Sequence, residues 1–404
     1  MVLALARILI DSRMTIISRL HNPKMILGRD GQLPAAIDAG RGIAALLVLL
    51  FHVRSALFAP YADFAPHNSA MAIFYTATSF GHAAVIVFFV LSGFLVGGAV
   101  LRMDAPARLP AYGLDRAVRI MPVTIGAIAV SLILATVQSA RTGLPSCAAN
   151  PAMIFGNLLN LQGFGAAVLC NNLALWSVSN EVSYYALFPV LAALCTGRRT
   201  YGFVVAGLIG LAALVFCLVA TPLDERNVAL YFPVWLLGSA LWFKAVPRGK
   251  TSVMLPVFLV ALLASRSDLA RSWFLASDAL LALSFGGLLG SLIGCSLSIP
   301  AWAGTMARPA GRLVAWLSGI SFSLYVTHYP LVRFFADWGN DGGLNLPAHG
   351  ISSGLAARFV LLTLVCLAFA TLFSQVFEVS RAEFRQRIDV FLARARFGTR
   401  PVRS

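Results

Sequence analysis

Charge is what this chain has least of. Only 12% of its residues are Asp, Glu, Lys or Arg, and just 16 are acidic, against about 25% charged in an ordinary globular domain. That scarcity excludes a water-facing surface of the usual kind. Metal-ligand spacing is also missing. The six cysteines are scattered, with no pair spaced as in a zinc site, so no bound metal or cofactor is expected. Cys195, Cys217, Cys295 and Cys366 lie in or beside apolar runs and read as packing residues. Cys147 and Cys170 share one polar loop, where a disulfide is plausible if the loop faces an oxidising compartment. The opening "MVLALARILIDSRM" has too short an apolar stretch, and no small-residue cleavage site, for a signal peptide. No internal repeat is visible, and no room is left for a separate soluble domain.

What fills the chain instead is hydrocarbon. Hydrophobic residues make up 59%, and the mean hydropathy is +0.82. Several apolar runs reach the length of about 18 or more residues that a bilayer crossing needs. Backbone polar groups in lipid must be satisfied within the segment, so each run is a helix. We expect an all-α polytopic membrane protein with ten spans, near 36–58, 81–101, 119–138, 174–194, 202–220, 229–246, 252–266, 274–295, 313–335 and 356–378. The expected plan is a tail over 1–33, a membrane domain over 34–380 and a basic tail over 381–404.

The basic excess, 31 Lys and Arg against 16 acids, would raise nucleic acid as a partner in a soluble protein. Here the bilayer is the partner, and the positive-inside rule accounts for the charge. With the amino terminus inside, 23 of the 31 basic residues fall on the cytoplasmic side and seven on the other, with Arg41 inside the first span. Both tails are therefore expected in the cytoplasm.

Five stretches carry chemistry. In "DAGRGIAALLVLLFHV", Arg41 and His52 are eleven positions apart, three turns plus about 20°, and so share one stripe about 16 Å long. Arg41 alone could snorkel, and His52 alone could be a structural histidine. Together they point to function, because ionisable groups inside a membrane are costly. In "LWSVSNEVSYYALFPV", Glu181 is the one carboxylate of an apolar run, and Ser177 and Tyr185 share its face at i−4 and i+4. It could pair with an arginine of another helix, or orient His52. In "LDRAVRIMP", Arg116 and Arg119 could form a two-pronged phosphate site, or simply be positive-inside charge. In "FFVLSGFLVGG", Ser92 and Gly93 favour close helix packing first and a cavity lining second. His328, in "SGISFSLYVTHYPLV", sits deep in the ninth span on a stripe with Tyr325 and Leu324.

These stretches resemble the acyltransferase 3 family of integral membrane acyltransferases. The resemblance runs in order over residues 33–335, through the Arg-to-His pattern of Arg41 and His52, "FFVLSGFL", the Arg116/Arg119 pair, the pattern Ser179–Glu181–Tyr185, and "SFSLYVTHYPL". The opening motif departs: family members commonly read Asp-Gly-Leu-Arg-Gly, where this chain reads Asp38-Ala39-Gly40-Arg41-Gly42. The resemblance implies transfer of an acyl group, usually acetyl from acetyl-CoA, to a hydroxyl of a carbohydrate or glycolipid acceptor such as a surface polysaccharide, at the bacterial inner membrane. It implies His52, Glu181 and Arg41 as catalytic residues. Arg116 and Arg119 would hold the acyl-CoA donor, and Ser92, Ser179, Tyr185 and His328 would line the cavity. On this reading Glu181 tunes His52 as general base, or His52 itself carries the acyl group. Two alternatives stay open: a succinyl donor on the same scaffold, and a transporter using Arg41, His52 and Glu181 as a proton relay. Unlike some members, the chain has no expected extracytoplasmic hydrolase-like domain.

Overall fold

The computed structural model describes residues 32–65, 67–103, 108–143, 150–195, 201–243, 249–293, 303–337, 348, 350 and 352–379. Both expected tails lie outside them almost entirely. The described residues form a helical bundle, and they contain no strand beyond one isolated bridge between Phe58 and Ala348. Helix α1 is Gln32–Leu57, α2 is Ser69–Ala77 and α3 is Gly81–Ser92. A wide π turn over Gly93–Gly97 and a last turn Gly98–Leu101 continue α3. Then come α4 (Leu109–Thr142), α5 (Pro151–Leu158), α6 (Leu175–Cys195), α7 (Tyr201–Ala220) and α8 (Val228–Ala240). The bundle closes with α9 (Thr251–Ala264), α10 (Asp268–Ser272), α11 (Phe274–Leu292), α12 (Ala303–Ala336) and α13 (Ser353–Ser374).

Among the described residues, seven helices are long and apolar enough to cross a membrane, and they coincide with seven of the ten expected spans. Of the other three, α8 and α9 are apolar but only 13 and 14 residues long, short of the roughly 20 that a crossing needs. The third lies in the 34-residue α12, which buries Ser318, Ser321, Ser323, Thr327 and His328. Position in the bundle follows from what each helix can bury. The segment of α2 and α3 is central, with 78% of its most apolar window buried, against 11% for α7. Leu208, Ile209, Phe216 and Val219 of α7 face outward, as lipid contact requires.

Helix α3 meets α8 at backbone distance. A Cβ on Gly238 would run into the Val90 carbonyl and the Phe94 amide, and one on Gly93 would run into the Trp235 carbonyl. The close-packing expectation for Ser92-Gly93 holds, because only hydrogen at these positions lets the two backbones touch. Inside the π turn, the Trp242 indole donates to the Phe94 carbonyl at 2.7 Å.

Prolines within the helices leave carbonyls unpaired four residues earlier, and at two of them side chains from elsewhere in the fold take these up. Pro330 frees Val326, whose carbonyl accepts from Asn172 Nδ2 at 2.9 Å. Pro189 frees Tyr185, whose carbonyl accepts from Tyr112 Oη at 3.2 Å. At the end of α4, Gly143 takes the left-handed conformation, φ 71°, that closes a helix without Cβ strain. In the loop before α6, Cys170 is disulfide-bonded; Cys147, its expected partner, lies outside the described residues.

Candidate active site

Five helices enclose a cavity of about 440 Å³. Asp38 and Arg41 come from α1, Phe88 and Ser92 from α3, and Arg116 and Arg119 from α4. Helix α6 adds Ser177, Glu181 and Tyr185, and α12 adds Ser321 and Tyr325. Six of the nine residues assigned to the site from sequence thus meet in one place: Arg41, Ser92, Arg116, Arg119, Glu181 and Tyr185. Ser177, Glu181 and Tyr185 face it together, as their i, i+4, i+8 spacing requires.

Glu181 is the hub of a hydrogen-bond cluster. Its Oε1 accepts from Ser92 Oγ and from Tyr185 Oη, each at 2.5 Å. The Ser92 hydroxyl in turn accepts from the indole of buried Trp235 at 3.1 Å. Across the cavity, Arg41 Nη2 donates to Ser321 Oγ at 3.1 Å, while Asp38 accepts from Ser318 at 2.8 Å. Among the described residues, Arg41, Arg116 and Arg119 make no ion pair. The Nε of Arg116 is buried without a partner. Three guanidiniums without ion pairs outnumber the two carboxylates of the lining, so the cavity presents net positive charge to whatever enters it.

Ser179 does not line this cavity. It lies two residues from Glu181, a rotation of about 200° that points it to the opposite face of α6. There it is buried, donating to the Asn160 carbonyl at 2.6 Å and accepting from the Gly163 amide at 3.0 Å. It ties down the loop between α5 and α6.

Nor do the two histidines line it. His52 sits further along α1 with its ring centroid 5.1 Å from that of His328 and 4.9 Å from that of Tyr329. The expected partnership with Glu181 is not formed, because α12 runs along α1 and supplies the neighbours of His52. His328 is buried, with Nδ1 at 3.1 Å from the Leu324 carbonyl and Nε2 unpaired. The two sites are nevertheless linked. Tyr325 lines the cavity and packs its ring 5.9 Å from that of His328.

The chain matches the family model described as an acyltransferase domain over residues 35–375, nearly its whole length. It belongs to the acyltransferase 3 family. No curated protein and no solved structure matches it. The protein is therefore a multi-pass membrane acyltransferase.

Sequence reasoning missed parts of this acyltransferase's interior. Trp235 and Ser321 gave no signal, since nothing distinguishes them from other apolar-helix residues. Asp278 did: it is the one carboxylate of its span, and intramembrane ionisable groups merit attention by default. It accepts from His82 Nε2 at 2.9 Å and from Tyr231 Oη at 2.7 Å, while His82 Nδ1 lies 3.2 Å from Glu225. This chain of polar groups sits at the start of α3, about 15 Å along its axis from Ser92.

Proposed function

We propose that this acyltransferase moves an acyl group, usually acetyl, from acyl-CoA to a hydroxyl of a carbohydrate acceptor, such as an exported or surface polysaccharide, at the bacterial inner membrane. The observation that carries the reading is the cavity itself. Arg41, Arg116 and Arg119 line it without ion-pair partners among the described residues, which suits a polyanionic donor. Arg116 and Arg119 hold the donor phosphates from the cytoplasmic side.

His52 is the general base. It lies about 16 Å along α1 from Arg41, so the donor's thioester arm extends toward the pair His52–His328. His52 takes the proton of the acceptor hydroxyl as its oxygen attacks the thioester carbonyl. The carbon–sulfur bond breaks, and the departing thiolate recovers the proton from His52. Arg41 offsets the negative charge of the donor. Glu181 holds Ser92 and Tyr185 in place and balances the arginines; it is not the orienting partner of His52.

The test is acyl transfer from labelled acetyl-CoA by reconstituted protein. Exchanging His52→Ala is expected to lower the rate by about 10²–10⁴-fold, the range for loss of a general base. Undiminished transfer would remove His52 from the mechanism.

A further inference from the structure

A second cavity, of about 390 Å³, opens beyond His52. Its wall includes Phe51 and Arg54 of α1, with Tyr75, His82, Arg266 and Asp278. Helix α1 therefore serves both cavities. Arg41 faces the first and Arg54 the second, thirteen residues or about 20 Å apart along the axis. His52 lies between them in the sequence, on the stripe of Arg41 and two residues, about 200° of rotation, from Arg54.

The carboxylates at this second cavity are already engaged. Asp278 is held by His82 and Tyr231, Glu225 by His82, and Asp268 by Arg271 at 2.9 Å. Two guanidiniums remain. Arg54 has no hydrogen bond or ion pair from its side chain among the described residues; it rests against the rings of Phe51 and Tyr75 at 5.3 and 5.2 Å. Arg266 makes one hydrogen bond, to Thr76 Oγ1 at 3.0 Å, and lies over Phe80 at 5.8 Å. The Nε of each is buried without a partner, and both line the one cavity.

Both stems lie against aromatic rings with Nε shut in, and both residues line the cavity. Two unneutralised cations lining one cavity are stabilised by an anion between them.

We propose that this cavity is an oxyanion subsite for the acceptor. Arg54 and Arg266 hold a carboxylate or phosphate borne by the acyl-accepting sugar. The word "acceptor" rests on the acyl-transfer reading, but the binding of an anionic sugar does not.

The experiment uses the full-length protein in nanodiscs of phosphatidylcholine alone, titrated calorimetrically with glucuronate, glucose 1-phosphate and glucose. Both anionic sugars are expected to bind at least about tenfold more tightly than glucose, since a charge-assisted hydrogen bond is worth that much or more. The double variant R54Q/R266Q is expected to lose that preference, and R54K/R266K to recover part of it. Equal affinity of glucose and the anionic sugars in the wild-type protein would overturn the proposal, as would an unchanged preference in the glutamine variant. Should the glutamine variant fail to fold, the wild-type comparison decides alone. Loss of glucuronate binding when phosphatidylglycerol is added to the disc would assign the arginines to lipid headgroups, and that too overturns it. Anion binding with no acyl transfer to any acceptor would sink the acyltransfer mechanism and leave the subsite standing. Transfer to sugars without anion preference would do the reverse.

Discussion

Removing the Ser92 hydroxyl should disturb two partners at once, and the sizes can be worked from the geometry. In Ser92→Ala, Glu181 loses a donor at 2.5 Å and the Trp235 indole loses its acceptor at 3.1 Å. A hydrogen bond to a charged group contributes about 1.5–3 kcal/mol, and an orphaned buried donor costs about 1–3 kcal/mol. Water in the cavity can replace the serine at Glu181, which lies on the cavity wall. It cannot replace it at Trp235, which is fully buried. The expected loss is about 2–4 kcal/mol. Tyr185→Phe removes one donor to the same oxygen and strands nothing, so about 1–2 kcal/mol is expected. Because both hydroxyls donate to Oε1, each partly compensates for loss of the other. The double variant should therefore exceed the sum of the singles by about 0.5–1 kcal/mol. Unfolding in mixed micelles, monitored by tryptophan fluorescence, gives all four corners of the cycle. A Ser92→Ala loss under about 0.5 kcal/mol, or strict additivity, would refute the hub assigned to Glu181.

Arg116→Gln with Arg119→Gln should weaken acyl-CoA binding by about tenfold or more, and wild-type binding should fall with salt while that of the double variant does not; a salt-independent wild-type affinity would argue against phosphate recognition. Gly238→Ala should destabilise by about 3 kcal/mol or more, because its Cβ meets backbone on α3 that cannot move aside; normal yield and thermal stability would contradict the packing described. Asn172→Ala should cost about 1–3 kcal/mol by stranding the Val326 carbonyl. Replacing Pro330 with Ala in that background restores the helix amide and should recover most of the loss; no recovery would mean the asparagine acts elsewhere.

Much of this protein is legible in its sequence, for a reason of cost. An ionisable residue in an apolar run stands out because hydrocarbon penalises it, and so Arg41, His52, Arg116, Arg119 and Glu181 can be found without a structure. Helical rotation then says which of them share a face: Ser177 and Tyr185 do so with Glu181, and Ser179 does not, although its closeness in sequence invites the grouping. Rotation cannot name the helix opposite. That is why His52 could be imagined against Glu181, when α12 places His328 and Tyr329 there. Span counting meets a similar limit. Apolar composition marks α8 and α9 as helices, but their 13 and 14 residues depend on where the chain turns, which distant contacts decide.

The sequence by itself determined that the chain is a membrane-embedded helical bundle, which residues are too expensive to be idle, and which family's motifs it carries. These follow from hydropathy and spacing, both local along the chain. Only the tertiary structure decided how the expensive residues divide: three arginines and Glu181 around one cavity, His52 with His328 beyond it, and Arg54 with Arg266 around a second. That division depends on which helices cross α1 and at what height. Crossing is governed by close approaches such as Gly93 against Trp235 and Gly238 against Val90, which join residues more than a hundred positions apart.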